Sequence, residues 1–275
     1  MNLRIGWRRG LIELRQSFTN SADLVSHFLW PTMMLVVMFF LRDNDFGDTG
    51  FLLGTLALPS ILGMNAALGM VSMSQQLTAE REDGTLLRAK ATPGGMQGYL
   101  VGKVVSVAGS TIADLAILLI PALFIVEGLS LQGGWLTFVW VLVLGLVATL
   151  PIGAVLGSLF TSARAQGLVQ LPVLALMGIS GIFYPITALP EWAQWIAQGT
   201  PIYWLGLGMR SAFLPDSAAA IEIGESWRHL ETLGVLGVWA ILGLLIAPVV
   251  LRRMARRESG STVASRRERA LQRVG

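Results

Sequence analysis

The chain has no cysteine and few charged residues. Only 13% of its 275 residues are Asp, Glu, Lys or Arg, and none is Cys. The absence of cysteine excludes disulfides, thiolate nucleophiles and Cys-based metal sites. Soluble domains carry about 25% charged residues. Because charge is scarce and 53% of the residues are hydrophobic, the chain belongs to the membrane class by composition.

Motifs for several kinds of chemistry are also missing. No G-x-x-x-x-G-K-[ST] sequence occurs, so we do not expect this chain to bind ATP in the usual way, nor any other cofactor. Its two histidines, His27 and His229, are placed on opposite sides of the membrane by the topology below, which argues against a shared metal. No Ser/His/Asp arrangement is readable. The basic tail lacks interleaved aromatics, which argues against nucleic-acid binding.

Residues 1–20 predict an amphipathic helix that lies in the membrane interface. Apolar residues recur there at steps of three or four, so they line one face of a helix, and the arginines lie off that stripe. Basic helices with Trp and Leu on the other face are typical of the membrane surface. A solvated leader is the alternative. The apolar stripe consists of Leu3, Trp7, Leu11, Leu14 and Phe18.

Six apolar segments follow, each close to the roughly 20 residues that are needed to cross a bilayer. They cover about 24–41, 51–73, 101–126, 135–160, 167–186 and 230–251. We therefore predict an all-α membrane protein with six transmembrane helices. Small residues spaced by four, such as Gly63 with Ala67 and Gly153 with Gly157, are interpreted as helix packing faces.

The distribution of Lys and Arg predicts that both termini are cytoplasmic. Positive charge concentrates on the cytoplasmic side of membrane proteins. With the N-terminus inside, all but three of the 20 Lys and Arg residues lie on that side. The three exceptions are Arg42, Arg210 and Arg228. This topology places a loop over 74–100 and a basic tail over 252–275 in the cytoplasm, and a loop over 187–229 outside.

The cytoplasmic loop carries signals that are typical of folded structure. The second span can continue past Met73 as a polar helix, and Gly84 fits the left-handed position that ends a helix. Thr85 is expected to cap a short helix over 86–91. Pro93-Gly94 then turns the chain. A plain solvated connector between spans is the alternative.

In the external loop, the stretch that begins at Pro190 and ends before Gly199 predicts a short amphipathic helix. Pro190 fits its first turn, and Gly199 follows its end. Trp192 and Trp195 share one face, and tryptophan favours the headgroup region of a bilayer. We interpret the helix as interfacial or re-entrant and its tryptophans as candidates for an external lid. An aromatic anchor is the alternative.

Asp114 is an acid about halfway along the third span, and it shares a helix face with Ser110. An ionisable residue inside a membrane is a functional candidate because its burial is costly. Asp114 is therefore a candidate for the translocation path, or for a bond across a dimer. The alternative is a protonated acid that bonds to neighbouring helices.

Two motifs, in register with this topology, resemble the ABC-2 type transporter permeases. The first is EREDGTL at 80–86, followed by Ala91-Thr92-Pro93 and Lys103. The second is SGIFYPITALPEW at 180–192, followed by Thr200-Pro201 and Arg210. The resemblance covers nearly the whole chain, and both motifs occur in the expected order.

The resemblance implies partners and contact residues. Members of that family pair with a second permease copy or a paralogous permease and bind two cytosolic ATPase subunits, which hold ATP and Mg. Their N-terminal interfacial helix and the loop between spans two and three meet the ATPase. By resemblance, the contact residues of this loop are Glu80, Glu82, Gly84, Thr85, Leu86 and Arg88.

The function implied by the resemblance is that of an exporter permease in the cell membrane, not of an enzyme. It would move a drug, an antibiotic or a lipid out of the cytoplasm, since the largely uncharged spans favour a hydrophobic or amphiphilic cargo. A polysaccharide or lipid-linked glycan exporter is one alternative. A membrane-embedded lipid-modifying enzyme and a scaffold that docks a signalling protein are others.

Overall fold

The computed structural model describes residues 2–44, 52–92, 95–129, 134–160 and 163–257, which form helices and no β-strand. The α-helices of these residues are α1 (Asn2–Ser17), α2 (Ser21–Leu41), α3 (Leu53–Glu82), α4 (Thr85–Lys90), α5 (Gly95–Ile125), α6 (Gly134–Leu159), α7 (Ala163–Gly178), α8 (Glu191–Gln198), α9 (Pro201–Phe213) and α10 (His229–Arg257). Short 3₁₀ turns cover Ile186–Ala188, Asp216–Ile221 and Ile223–Glu225. The predicted Pro93-Gly94 turn and the tail beyond residue 257 lie outside the described residues.

Five of these helices are long and apolar enough to cross a membrane. They are α2, α3, α5, α6 and α10. The segment predicted as a span over 167–186 differs, because α7 ends at Gly178 and the chain turns at Gly181, whose φ is +70°. The 16 residues of α7 extend about 24 Å, less than the roughly 30 Å of a hydrocarbon core. Five spans are therefore supported, and the sixth stays a prediction.

The centre of the bundle is α3. It is the most buried of the five long helices and packs against α5, α6, α7 and α9. A Cβ atom on Gly153 of α6 would lie 2.2 Å from the carbonyl oxygen of Met70. A Cβ atom on Gly63 would lie 2.8 Å from the Cα atom of Gly206 in α9. These approaches require glycine, so the packing role predicted for the small residues is confirmed.

The N-terminal helix α1 packs along α5 through glycines. Gly6 and Gly10 are buried, and they face Gly98 and Gly102 of α5. A Cβ atom on Gly10 would lie 2.5 Å from the carbonyl oxygen of Gly102. Small residues spaced by four on both helices thus let the two backbones approach closely. This contact between α1 and α5 was not predicted from the sequence.

The apolar stripe of α1 lies mainly on the surface. Its first three members, Leu3, Trp7 and Leu11, are exposed by 71%, 57% and 45%. Its last two, Leu14 and Phe18, are half-buried, and the ring of Phe18 stacks on His27 at 4.3 Å between centroids. Because the glycine face of α1 contacts the bundle, most of the apolar stripe is exposed and can contact another apolar surface. An interfacial position in the membrane stays a prediction.

The turn between α3 and α4 has the predicted glycine but a different cap. Gly84 has a φ of +80°, as expected for the left-handed position at a helix end. Thr85 was expected to cap the next helix, but it is instead the first residue of α4. Its backbone N–H donates to the Asp83 carboxylate over 2.7 Å. The capping assignment to Thr85 was therefore wrong, because the helix starts one residue earlier.

Candidate functional site

Three helices bring polar side chains together beside the α3–α4 turn. Each helix contributes two residues spaced by four, which places both on one helix face. We call the group the loop-side cluster. Its members are Arg9 and Glu13 of α1, Gln76 and Glu80 of α3, and Tyr99 and Lys103 of α5.

Lys103 is the centre of the loop-side cluster. Its side chain is 4% exposed. Its Nζ atom donates to Glu13 Oε2 over 3.0 Å, to Gln76 Oε1 over 3.3 Å, and to Glu80 Oε1. A buried ammonium group is costly unless charged partners and hydrogen bonds surround it. These three acceptors satisfy that requirement and join α1, α3 and α5 at one point.

The remaining members close the loop-side cluster around Lys103. Arg9 Nε donates to Glu13 Oε1 over 2.8 Å, and its guanidinium lies 5.0 Å from the centroid of the Tyr99 ring. The Tyr99 hydroxyl donates to Glu80 Oε2 over 2.5 Å. Burial on its own would raise the pKa of Glu13, but Arg9 and Lys103 outweigh it and lower that pKa. The carboxylate is thus held in its charged form.

The predicted ATPase-contact residues separate into two groups. Glu80 points into the loop-side cluster, Gly84 is buried, and Leu86 is 1% exposed. Glu82 and Arg88 lie on the surface, and Arg88 Nη2 donates to Thr85 Oγ1 over 2.9 Å. Only the second group presents side chains outward. The contact with an ATPase stays a prediction for all six residues.

Asp114 has a partner within the chain. Its Oδ1 atom lies 2.6 Å from His27 Nδ1. The pair joins α2 to α5, and the ring of Phe18, the residue that follows α1, stacks on His27. The geometry favours bonding to a neighbouring helix, which was the alternative to a role in the translocation path. His27 was not predicted as the partner, because the two residues are 87 positions apart in the chain.

The two external tryptophans point away from the bundle. Trp192 and Trp195 are exposed by 64% and 75%, whereas Ala193 and Ala197 of the same helix are buried. Neither tryptophan lines the cavity described next. Their role as a lid stays a prediction, and their exposure also fits an aromatic anchor at headgroup depth.

A cavity of about 520 Å³ lies between α2, α3, α7 and the chain around α9. We call it the apolar cavity. It is at the opposite end of α3 from the loop-side cluster, since the α3 residues that line it fall within 53–68. Its lining includes Trp30, Met34, Leu56, Ser60, Met64, Leu174, Ile182, Phe183, Arg210 and Glu222.

Arg210 and Glu222 form the charged part of this lining. Their side chains are 4% and 1% exposed, and Arg210 Nε donates to Glu222 Oε1 over 2.7 Å. Arg210 Nη1 also donates over 3.2 Å to Ser60 Oγ and to the carbonyl oxygen of Gly181. Two atoms of the pair, Arg210 Nη2 and Glu222 Oε2, have no hydrogen-bond partner among the described residues.

Signals for both sites are present in the sequence. The spacing of four, repeated on three helices, could have identified the loop-side cluster, although only the fold shows that the three faces meet. Arg210 is the only charged residue of α9. A single arginine in an apolar helix needs a partner, which could have directed attention to Glu222.

These features define a helical, multi-pass membrane protein. The loop-side cluster lies at one end of its helix bundle, and the apolar cavity lies at the other. Residues 43–249 match the model of a family described as ABC-2 family transporter protein. The match covers most of the chain, so the chain belongs to the ABC-2 family and is a membrane subunit of an ABC transporter. The resemblance seen in the sequence is thereby confirmed. A comparison with curated proteins finds no match.

Proposed function

We propose that the chain is the permease subunit of an exporter that moves a hydrophobic or amphiphilic compound out of the cytoplasm. Candidate compounds are a drug, an antibiotic or a lipid. A separate cytosolic subunit would bind Mg and ATP and hydrolyse the ATP, with two copies per assembly. A second permease, identical or paralogous, would complete the pathway in the cell membrane, with both termini of each chain inside.

The loop-side cluster is the observation that carries this proposal. A transporter driven by a separate ATPase needs a rigid element that receives a displacement and passes it to the spans. The cluster supplies one, because Lys103 binds Glu13 and Glu80 at once and so couples α1, α3 and α5. Coupling requires a continuous physical connection with two arrangements, and these ion pairs supply the connection.

The short helix α4 is placed to receive the displacement. Its Leu86 and Ala89 are buried against the bundle, while Arg88 is exposed. At the adjacent end of α3, Arg81 Nη1 donates to the carbonyl oxygens of Ser158 and Phe160, over 2.9 Å and 3.1 Å. A push on α4 would therefore reach α6 as well as the helices of the cluster.

Charge reversal on the outer surface of this region tests the proposal. The double variant Glu82→Lys with Arg88→Glu keeps the net charge and alters no member of the loop-side cluster. We expect it to reduce co-purification of the ATPase subunit and ATP-dependent uptake of a fluorescent amphiphile into inverted vesicles by about tenfold or more, a loss typical of charge pairs at an interface.

The matched control is Glu191→Lys, an exposed charge reversal in the predicted external loop. It should leave both measurements unchanged. Equal co-purification and uptake by the double variant would overturn the contact at α4. If the wild-type pair of subunits showed no ATP-dependent uptake of any amphiphile tested, the exporter proposal itself would be wrong.

A further inference from the structure

The apolar cavity has the size and surface of a small-molecule site. Such sites have volumes of about 300–1,000 Å³, with mostly apolar walls and a few polar groups that fix orientation. The cavity, at about 520 Å³, lies within this range, and Arg210, Glu222 and Ser60 are polar members of its lining. Trp30, Leu174 and Phe183 on its rim are more than a third exposed, so the cavity opens at the protein surface.

The charged pair in the wall is incompletely satisfied. Buried polar atoms in proteins are nearly always hydrogen-bonded, and one without a partner is destabilising. Arg210 Nη2 keeps a free donor and Glu222 Oε2 a free acceptor with respect to the described residues. Both belong to one ion pair in the lining, so a single polar group between them could satisfy both.

The net charge of the Arg210–Glu222 pair limits which chemical groups a ligand can place there. Arg210 and Glu222 neutralise each other, so a ligand with net charge would be buried without compensation. A hydroxyl group both donates and accepts, so one such group can accept from an N–H of the unpartnered Nη2 atom and donate to the unpartnered Oε2 atom. The remaining wall is apolar and suits a hydrocarbon body.

We propose that the cavity binds an uncharged amphiphile whose polar end carries a hydroxyl group. Both atoms are shielded from solvent in the ligand-free chain, so the side-chain ends must rotate toward the cavity before the hydroxyl can donate to Glu222 Oε2 and accept from Arg210 Nη2. The hydrocarbon body lies among Met34, Met64 and Leu174. The identification of this ligand as cargo rests on the proposed function, whereas binding itself does not.

Binding is tested with the full-length chain in phosphatidylcholine nanodiscs, because phosphatidylcholine has no hydroxyl group and sugar-based detergents would compete. The probe is radiolabelled monoolein, an uncharged amphiphile with free hydroxyls. The comparison ligand is methyl oleate, which has the same hydrocarbon chain and no hydroxyl. We expect monoolein to bind about tenfold more tightly or better, as for hydrogen bonds to charged groups.

Three variants locate the site. Arg210→Met with Glu222→Leu removes both charges and keeps an apolar wall, so the preference for monoolein should disappear while methyl oleate still binds. Leu174→Trp fills the cavity mouth and should weaken both ligands. Arg228→Met changes an external arginine that does not line the cavity and should leave both affinities unchanged.

Equal binding of the two ligands to the wild-type chain, or a preference that survives in the double variant, would overturn the proposal. ATP-dependent uptake of monoolein into inverted vesicles then separates cargo from resident lipid. If the wild-type chain takes up monoolein and the double variant does not, the cavity is a cargo site. Specific binding with no uptake, alongside ATP-driven uptake of another amphiphile, assigns the cavity to a resident lipid and rejects only the cargo identification.

Discussion

The loop-side cluster and the Arg210–Glu222 pair are both ionic and are each centred on a buried cation, but they differ in how completely their buried polar atoms are hydrogen-bonded. They lie near opposite ends of α3, and Ser60 and Glu80 are about 30 Å apart along it. In the cluster, no member keeps an unpartnered buried polar atom among the described residues, whereas the cavity pair keeps two. A complete network stabilises an arrangement of helices, and an incomplete one leaves hydrogen-bonding capacity for a ligand.

The difference follows from which elements supply the groups. Lys103 is surrounded by side chains from α1 and α3, so its three donors meet three acceptors. Arg210 meets one carboxylate, one hydroxyl and one carbonyl, and the rest of its surroundings is apolar wall. Both cations are 4% exposed and each meets three acceptors. An ammonium group has three N–H donors, whereas a guanidinium has five, so the donors left over, and not the depth of the cation, distinguish the two sites.

Removal of the central cation should give the largest effect. Lys103→Met leaves the half-buried carboxylates of Glu13 and Glu80 without their shared partner, which we expect to cost about 3 kcal/mol, the lower end of the loss for a fully buried pair. Thermal unfolding of the purified chain in nanodiscs measures it, with Lys103→Arg as the control that keeps the charge. An unfolding temperature within about 2 °C of wild type would mean that the cluster does not hold the three helices together.

The positions of the long helices could be predicted because they depend on local properties. Runs of apolar residues identify α2, α3, α5, α6 and α10, and the left-handed turn at Gly84 follows from the freedom of glycine alone. The end of α7 was harder to predict. An apolar run over 167–186 continues through the turn at Gly181, and hydropathy does not distinguish a helix from a buried turn.

The pairing of distant side chains could not be predicted. Glu80 was interpreted as a surface contact, although Lys103 and Tyr99 hold it within the bundle. His27 and Asp114 were considered separately, although their side chains meet. Such pairs depend on how helix faces are oriented in the folded bundle, which the sequence of one chain does not specify.

Replacement of the Arg210–Glu222 pair should increase the stability of the chain, whereas Lys103→Met should decrease it. Arg210→Met with Glu222→Leu removes two charges and their unpartnered atoms, and buried ion pairs can often be replaced by apolar groups without loss. The ligand-free chain should become about 1 kcal/mol more stable, as measured by thermal unfolding. Glu80→Leu with Lys103→Met is the matched exchange in the cluster and should be destabilising, since Glu13 keeps only Arg9. Similar changes in both variants would contradict the distinction between the sites.

The smallest expected effect concerns pH at the edge of the loop-side cluster. The pKa of Glu13 is lowered below its ordinary value of 4.5, because Arg9 and Lys103 outweigh burial. Its charged form therefore stabilises the fold fully above pH 4.5, and this contribution is lost as the pH falls through the folded pKa. Glu13→Gln should unfold at a temperature about 2 °C below wild type near pH 6.

The difference between wild type and Glu13→Gln should shrink as the pH falls below 4.5 and through the lowered folded pKa of Glu13, because protonation makes the two side chains alike. Thermal unfolding at a series of pH values measures it. Glu191→Gln changes a carboxylate at the other end of the molecule and should show no such convergence. A gap that stayed constant or widened on acidification would mean that Glu13 contributes packing and not charge, and that the cluster depends on Glu80 and Lys103 alone.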